Sequence, residues 1–338
     1  MRMKRCPTLL HLFGCLAIFL LCQLNGTAKI VFDAKIKHAG DTRYHIYAME
    51  DDGSNLRRIT PPHRYDTAAR WFPDGKRIVF ERDWGEGKWN TGTTIHRELF
   101  IIDETGRNEY SFIVDPHRKD TSPDPSPDGR YIAFDSRRTG ELDIYVYDLA
   151  RDKLTALTNN EIEGGWTQAP RWSPDGSRIV YHNGEAIWVM NADGGKKEQI
   201  VPAPATLTVR GYACWSPSGR YIMYHEVDLK PVARRLIIHK VSTNARDVHK
   251  LPTPEGKYGQ VAGLTWMGDD NTVLLSYQEA GGTRNIYRYD LNSRRMTKLT
   301  DFPQGHAYFP HWVEGPLAVS PAGKVTTRWG YLKQELAQ

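Results

Sequence analysis

The chain has 338 residues, of which 40% are hydrophobic and 25% are charged, and its formal net charge is +5. Without the three positive charges of an expected signal peptide the net charge is +2, and that near-balance gives no electrostatic basis for binding nucleic acid or an anionic membrane surface. Three of the four cysteines fall in the first 22 residues, within an expected signal peptide, so the mature chain keeps only Cys214. That count excludes an internal disulfide and a metal site built on paired thiolates.

Residues 1–28 have the pattern of a secretory signal peptide. A positive segment (Arg2, Lys4 and Arg5) precedes an apolar run over 9–22, and Gly-Thr-Ala at 26–28 offers small residues for cleavage. We therefore expect cleavage before Lys29. Removal of three positive charges and no acidic residue lowers the formal charge from +5 to +2. The protein is then periplasmic or secreted. Membrane association is expected only if the signal is retained as an anchor or lipidated, because the apolar run falls short of the ~20 residues of a membrane span.

Six copies of one strand pattern follow at intervals of roughly 43–54 residues, which is typical of a β-propeller. Proline presets φ at the turn of each copy and glycine takes the positive φ that ends it, so the flanking strands form a hairpin. An apolar triplet after each turn is typical of a strand buried on both faces. The clear turn motifs are WFPDG at 71–75, PSPDG at 125–129, WSPDG at 172–176 and WSPSG at 215–219, with weaker copies around Trp266 and Trp312.

The two ends of the pattern predict how the ring closes. Residues 30–32 read as a second strand without a first strand, and residues 309–313 read as a first strand without a blade after it. We therefore predict an all-β fold over 29–314. It is a six-bladed β-propeller of four-stranded antiparallel blades, closed by the C-terminal strand completing the N-terminal blade. Residues 315–338 form a tail that the pattern does not place, although its turn-like 320–323 makes 317–319 an alternative closing strand.

These repeats resemble the WD40-like β-propeller repeat of the TolB type. The resemblance rests on WSPDGSRIVY at 172–181, IYAMEDDGSNLRRIT at 46–60 and SPDGRYIAFDSRRTGELDIYVYDLARDKLTALT at 126–158. It implies an exported propeller of the cell envelope. TolB itself carries an α/β domain ahead of its propeller, so we expect a stand-alone TolB-like propeller here. The repeat also resembles those of prolyl-oligopeptidase-type hydrolases and oligogalacturonate lyases.

The loops that lead into two neighbouring blades contain the same short motif. It consists of His63, Arg64 and Asp66 in one loop and of His117, Arg118 and Asp120 in the next. Side by side at the channel mouth, these groups would suit an acidic ligand, because the planar guanidinium pairs with carboxylates. Alternatively, each aspartate caps a turn while the histidine and arginine are solvated.

Two further loops carry candidate binding residues. The long loop over 82–97 contains Trp84 and Trp89 among glycines, and exposed tryptophans on such a rim are enriched at binding surfaces. Alternatively, both rings fold back over the blade edge. The last loop holds His306 and Tyr308, and His311 follows in the closing strand.

The histidines of these loops suggest an alternative, which is a metal ion bound by imidazole groups. Oligogalacturonate lyases resemble this chain in fold and place a divalent metal on propeller histidines, and His63, His117, His306 and His311 could ring the channel. The residues of that metal motif have no one-to-one match here, and such a site requires three or four converging imidazoles. We therefore expect no metal and no cofactor.

Catalytic signatures such as G-x-S-x-G and H-E-x-x-H are absent from the sequence. We therefore predict a monomeric, non-enzymatic binding scaffold of the cell envelope, whose partner is a protein or a glycan. The alternative is a propeller enzyme of the oligogalacturonate-lyase or hydrolase kind, with its site at the channel mouth.

Overall fold

A computed structural model describes residues 28–36, 41, 43–62, 64–84, 96–113, 119–159, 166–205, 208–229, 232–251, 261–279 and 282–315. Residues 1–27 of the predicted signal peptide and residues 316–338 of the predicted tail lie outside these ranges. Within them the protein is all β, with 24 strands and no helix. No described segment forms a helix with the length and apolar character needed to cross a membrane.

The strands follow one another along the chain with short connections. They are β1 (Ala28–Ile36), β2 (His45–Glu50), β3 (Arg57–Arg58), β4 (Tyr65–Trp71), β5 (Arg77–Asp83), β6 (Arg97–Asp103), β7 (Tyr110–Ser111), β8 (Asp120–Pro125), β9 (Tyr131–Ser136), β10 (Asp143–Asp148), β11 (Lys153–Ala156), β12 (Thr167–Trp172), β13 (Arg178–Asn183), β14 (Ala186–Asn191), β15 (Glu198–Val201), β16 (Thr208–Trp215), β17 (Tyr221–Leu229), β18 (Val232–Lys240), β19 (Ala245–Lys250), β20 (Leu264–Trp266), β21 (Thr272–Gln278), β22 (Arg284–Asp290), β23 (Met296–Lys298) and β24 (Gly305–Glu314).

The predicted turn motifs form tight hairpins. In the first one, the Phe72 amide donates to the Arg77 carbonyl at 2.8 Å and the Gly75 amide donates to the Phe72 carbonyl at 2.9 Å. Gly75 has φ of 61°, a left-handed conformation that glycine adopts at little cost. The same pair of bonds recurs at the turns that begin at Ser126, Ser173 and Ser216. The repeated motif therefore sets the register between the first two strands of a blade.

Four sheets of the described chain are separate four-stranded antiparallel blades: β4–β7, β8–β11, β12–β15 and β16–β19. The remaining eight strands form a single sheet in the order β20-β21-β22-β24-β1-β2-β3, with β23 also paired to β22. We use the word unit for any group of four strands that forms either a separate blade or one half of the eight-stranded sheet. Unit 1 is β24-β1-β2-β3, units 2 to 5 are the separate blades in chain order, and unit 6 is β20–β23.

The prediction of six separate blades is therefore wrong, since the described chain has four and one eight-stranded sheet. The physical reason is one parallel bridge between Arg284 and His306, which joins β22 to β24. The C-terminal strand does pair with the N-terminal strand, because β24 runs antiparallel to β1 from Ala28 to Ile36. However, hydrogen bonds do not close the ring as a whole. Between the other neighbouring units, the described residues make one isolated β-bridge, Arg97 to Lys119, and one backbone hydrogen bond, from the Asp66 amide to the Tyr44 carbonyl at 2.9 Å.

Apolar packing joins the units instead. Within each predicted triplet, successive side chains point to opposite faces of the sheet. In the first triplet, Ile30 and Phe32 pack towards unit 6, while Val31 packs towards unit 2 beside Trp71. All three triplet residues are fully buried, and each such burial stabilises the fold by about 1.5–3 kcal/mol. An equivalent apolar cluster lies between every pair of neighbouring units around the ring.

Lys29, at the predicted start of the mature chain, adds a polar contact between units 1 and 2. Its Nζ donates to the Gly75 carbonyl at 2.6 Å and to the Glu104 carboxylate at 2.6 Å, and the residue is buried. Since β24 holds β1 from its other side, both termini of the described chain meet in unit 1.

Candidate functional site

Each unit turns one strand towards the centre of the ring, and each of these inner strands is distorted at the same place. One residue there has positive φ, between 49° and 90°, and in five units the strand pairing shifts register around it. Such bulges re-aim side chains and are common beside functional sites. The six residues are Ala68, Ser122, Ala169, Tyr212, Gly263 and Phe309.

A central cavity of about 1150 Å³ lies against these bulges. Residues from all six units line it, and they include guanidinium groups, tyrosine rings and carboxyl groups. Cavities of this size with a few convergent polar groups are the usual place for ligand binding. The cavity is therefore the candidate site.

The residue that follows the apolar triplet forms a ring around the channel. In unit 1 this residue is Asp33, which accepts a hydrogen bond from the Ala68 amide of unit 2 at 3.0 Å. Glu81 and Asp135 repeat the contact in units 2 and 3, at 2.7 and 2.8 Å from bulge amides of the following units. The other three members differ in chemistry: His182, His225 and Ser276. One half of the ring therefore carries carboxyl groups, and the other half carries imidazoles and a hydroxyl.

Burial shifts the pKa values of four side chains in this ring. Desolvation raises the pKa of Asp135 to about 6 and raises the pKa of Asp33 well above its usual value. The same cause lowers the pKa of His182 to about 3 and that of His225 to about 4. Both imidazoles are consequently neutral at pH 7.

A second layer of side chains lies two residues beyond each bulge. Two of its members accept bonds from the next unit: His311 Nδ1 accepts from the Trp71 amide at 3.0 Å, and Asp124 accepts from the Trp172 amide at 2.9 Å. Burial raises the pKa of the Cys214 thiol to about 12, which makes it unreactive. The layer consists of Arg70, Asp124, Arg171, Cys214, Thr265 and His311. These contacts make it part of the structural core of the ring.

Aromatic rings line the cavity wall in units 1 and 5. The Tyr44 and Tyr308 ring centroids are 5.4 Å apart, and Tyr212 stacks on His225 at 5.2 Å. Burial raises the pKa of Tyr212 to about 12, so its hydroxyl keeps its proton. The Arg284 guanidinium lies 4.5 Å from the centre of the Tyr308 ring. The wall therefore combines flat apolar surface with hydrogen-bond donors.

Of the predicted site residues, Arg64 and Trp84 come together. The Arg64 guanidinium lies 4.8 Å from the centre of the Trp84 ring, and Trp84 Nε1 donates to Glu98 at 3.0 Å. Trp84 remains 43% exposed. Arg64 precedes the cavity-lining Tyr65, and Trp84 follows the cavity-lining Glu81 by three residues, but neither Arg64 nor Trp84 itself lines the cavity. We call the surface formed by Arg64 and Trp84 the rim. His63, Trp89, His117 and Arg118 lie outside the described residues.

The two predicted aspartates are engaged within their own units. Asp66 is fully buried and binds Arg82, whose Nε lies 2.7 Å from one carboxylate oxygen and whose Nη2 lies 3.1 Å from the other. Asp120 binds Arg138 at 2.9 Å. The first ion pair joins β4 to β5 in unit 2, and the second joins β8 to the turn after β9 in unit 3.

His306 and Tyr308 both contact Arg284. His306 Nδ1 accepts from the Arg284 amide at 3.1 Å, and the Tyr308 ring lies against the Arg284 guanidinium. Among the residues that the structure describes, no three His, Cys, Asp or Glu side chains are grouped as metal ligands.

Sequence reasoning missed the ring that follows the apolar triplets. A signal for it was present, since IVFD, IVFE, IAFD, IVYH and IMYH align in consecutive repeats with a polar residue always in fourth place. In a strand buried on both faces, a polar residue at a constant position indicates either a structural bond or a site.

The protein is a β-propeller, because its inner strands surround a central cavity, and this channel is the candidate site. The TolB beta propeller domain matches residues 90–263, just over half of the chain. The chain therefore belongs to the TolB β-propeller domain family, and the predicted resemblance is confirmed.

Individual relatives match over part of their own length. An uncharacterized protein of Agrobacterium fabrum is 26% identical over 203 residues, which cover 54% of this chain and 63% of that protein. The Tol-Pal system protein TolB of Francisella tularensis subsp. mediasiatica is 32% identical over 100 residues, which cover 28% of this chain and 22% of that protein. The matched parts thus span less than two thirds of either relative.

Solved structures share the fold. TolB from Acinetobacter baumannii superposes with a TM-score of 0.65 at 17% identity, over 88% of this chain and 71% of that chain. An oligogalacturonate lyase in complex with manganese superposes with a TM-score of 0.55 at 14% identity, over 81% and 73%. At these identities the likeness concerns the fold alone.

Proposed function

We propose that this protein is an exported binding scaffold of the cell envelope, which binds a protein partner, or a glycan, at the mouth of its channel without catalysing a reaction. The observation that carries the proposal is the central cavity of about 1150 Å³, whose wall combines tyrosine rings with guanidinium groups. Tyrosine and arginine are the residues most enriched where binding energy is concentrated.

The rim supports the same proposal. Trp84 is held between the Arg64 guanidinium and the Glu98 carboxylate, yet a large part of its ring is exposed. A preorganised aromatic side chain loses little conformational entropy when a partner covers it. The envelope location is inferred from the signal-like residues 1–28 and from the relation to Tol-Pal system proteins named TolB.

The test is capture of a partner by the exported protein, carrying a C-terminal tag, from detergent-solubilised envelope extract. We expect a specific protein to be retained by the wild type and lost with the fourfold Arg64, Trp84, Trp89 and Arg118→Ala variant. Tyr110→Ala is the matched control, because Tyr110 is a similarly exposed aromatic residue (48%) on outer strand β7. Undiminished capture by the fourfold variant would refute binding at the rim.

The same preparation tests the enzyme alternative. Elemental analysis before and after EDTA, followed by incubation with a uronate polymer, would overturn the non-enzymatic proposal if a stoichiometric metal and polymer cleavage were both found.

A further inference from the structure

Three arginines occupy the same register in three units, within the first three residues of the third strand. Arg97, Arg234 and Arg284 each precede by two residues the first buried apolar residue of that strand, which is Leu99, Leu236 or Ile286. All three line the central cavity.

The neighbours of the three arginines on the second strand differ. In unit 2, Arg97 is neutralised by Glu81 at 3.2 Å and by Asp83 at 3.8 Å. In unit 5, the residues in the positions of Glu81 and Asp83 are His225 and Val227, and in unit 6 they are Ser276 and Gln278. Units 5 and 6 therefore keep the arginine without its carboxylates.

The guanidinium groups of Arg234 and Arg284 are consequently buried without sufficient partners. Arg234 is 2% exposed and Arg284 is 5% exposed. The Nε and Nη1 atoms of Arg234 and the Nε atom of Arg284 have no hydrogen-bond partner, and no ion pair to either residue is found within the described chain. An unpaired buried charge is costly, so such groups are normally compensated.

Among the described residues, the groups that act on the two arginines do not include a carboxylate. Burial lowers the pKa of both arginines, and the charge of Arg284 lowers that of Arg234 further. Arginine nevertheless keeps its charge at neutral pH. Around the pair stand neutral groups: the Tyr308 ring, the proton-bearing hydroxyl of Tyr212 and the neutral His225 imidazole.

We propose that Arg234 and Arg284 form an anion subsite, which binds a carboxylate or phosphate group of a ligand that enters the channel. The edge of a guanidinium that includes Nε forms two parallel bonds to such a group, and this edge is unoccupied at Nε in both residues. The subsite rests on the proposed function, because it assigns a ligand chemistry to the same cavity.

The experiment titrates the purified full-length exported protein with citrate, with inorganic phosphate and with an acidic peptide, Ac-Gly-Glu-Glu-Gly-amide, at low ionic strength. Calorimetry gives the dissociation constant, and the thermal midpoint gives a second readout, since a ligand that binds the folded state raises it. Ac-Gly-Gln-Gln-Gly-amide is the uncharged control. Tighter binding of the acidic peptide indicates a partner's side chains as the source of the anion, and tighter binding of citrate or phosphate indicates a small free anion.

We expect Arg234→Gln/Arg284→Gln to weaken binding of the preferred anion at least about tenfold and to abolish the anion-dependent rise of the thermal midpoint. Arg151→Gln is the control. It removes an arginine whose side chain is 68% exposed and does not line the cavity, so binding should be unchanged. Because the double variant removes two uncompensated charges, its thermal midpoint without anion should equal or exceed that of the wild type, which separates lost binding from lost folding.

Equal anion binding by the wild type and the double variant would overturn the subsite, as would the absence of binding by all three probes. Partner capture by the double variant distinguishes the two proposals. Capture that persists together with unchanged anion binding refutes the subsite alone. Failure of the wild type to capture any partner, with Arg-dependent anion binding intact, refutes the scaffold alone.

Discussion

The ion pair between Arg82 and Asp66 provides the sharpest test of how unit 2 is stabilised. Arg82 is buried, and its Nε and Nη2 donate to the two oxygens of Asp66 at 2.7 and 3.1 Å. Its Nη2 also donates to Glu109 at 3.0 Å, and its guanidinium lies 4.7 Å from the Phe100 ring centre. Arg82→Met keeps much of the apolar stem but leaves the Asp66 carboxylate buried without its partner.

The magnitude follows from the burial of the two acids. Asp66 is fully inaccessible, and removal of one partner from a buried pair costs about 3–5 kcal/mol. The Glu109 side chain is 27% exposed, so water replaces part of its lost bond and its contribution is small. We therefore expect the free energy of unfolding to fall by about 4 kcal/mol. At about 2 °C per kcal/mol for a chain of this size, the thermal midpoint should fall by roughly 8 °C.

The assay is urea unfolding followed by circular dichroism and tryptophan fluorescence. Arg151→Ala is the control, because its side chain is 68% exposed in an ion pair with Asp148, and removal of it should cost less than about 1 kcal/mol. Asp66→Asn/Arg82→Met should recover part of the loss, since it removes the stranded charge. A loss below about 1 kcal/mol for Arg82→Met would refute the assignment of this pair as a structural bond.

Three further predictions concern other parts of the ring. Lys29→Met should destabilise the protein by about 2–4 kcal/mol, measured by urea unfolding, because the Gly75 carbonyl and Glu104 lose a charged donor; Lys76→Met is the surface control. Burial raises the pKa of Asp135 to about 6, against about 3.9 in an unfolded chain, so between these pH values the folded state holds a proton that the unfolded state lacks. Stability should therefore fall by roughly 2–3 kcal/mol as the pH rises from 4 to 7, and Asp135→Asn should flatten that fall; an identical pH profile in the variant would contradict the assignment. Gly263→Ala would place a Cβ 2.5 Å from Phe309 Cα and should cost more than about 2 kcal/mol, whereas Gly140→Ala, which has positive φ but open space around it, should cost about 1 kcal/mol.

The repeating strands could be predicted because local chemistry specifies them. The Pro-Asp-Gly turns fix hairpin register, and the apolar triplets identify strands with two buried faces, so the strands on either side of each turn follow directly. The fusion of two units into one sheet could not be predicted in this way. It depends on a single bridge between Arg284 and His306, which are 22 residues apart and belong to different strands of the pattern.

Asp66 and Asp120 show what could not be predicted about the candidate site from the sequence. Their recurrence suggested a shared binding motif, but each pairs with an arginine 16 or 18 residues later in its own unit, Arg82 on β5 and Arg138 in the turn after β9. Recurrence in a repeat protein reflects structural demands of the repeat as readily as function. Arg234 and Arg284 can be recognised only when the start of the third strand is compared between units. The comparison shows that units 5 and 6 keep the arginine but lack the carboxylates that pair with Arg97 in unit 2.

The ring of polar residues after the apolar triplets has carboxyl groups on one side and other groups on the other side, and this difference affects how a ligand is oriented in the channel. A channel built from identical repeats would have rotational symmetry, and a ligand in it could adopt any azimuth. Here the carboxyl groups of Asp33, Glu81 and Asp135 occupy one semicircle, and His182, His225 and Ser276 occupy the other. A ligand with one charged end therefore meets different chemistry on the two sides of the cavity, with Asp33 and Glu81 on one side and His182 and His225 on the other. Its orientation in the channel is then selected by the differences between repeats.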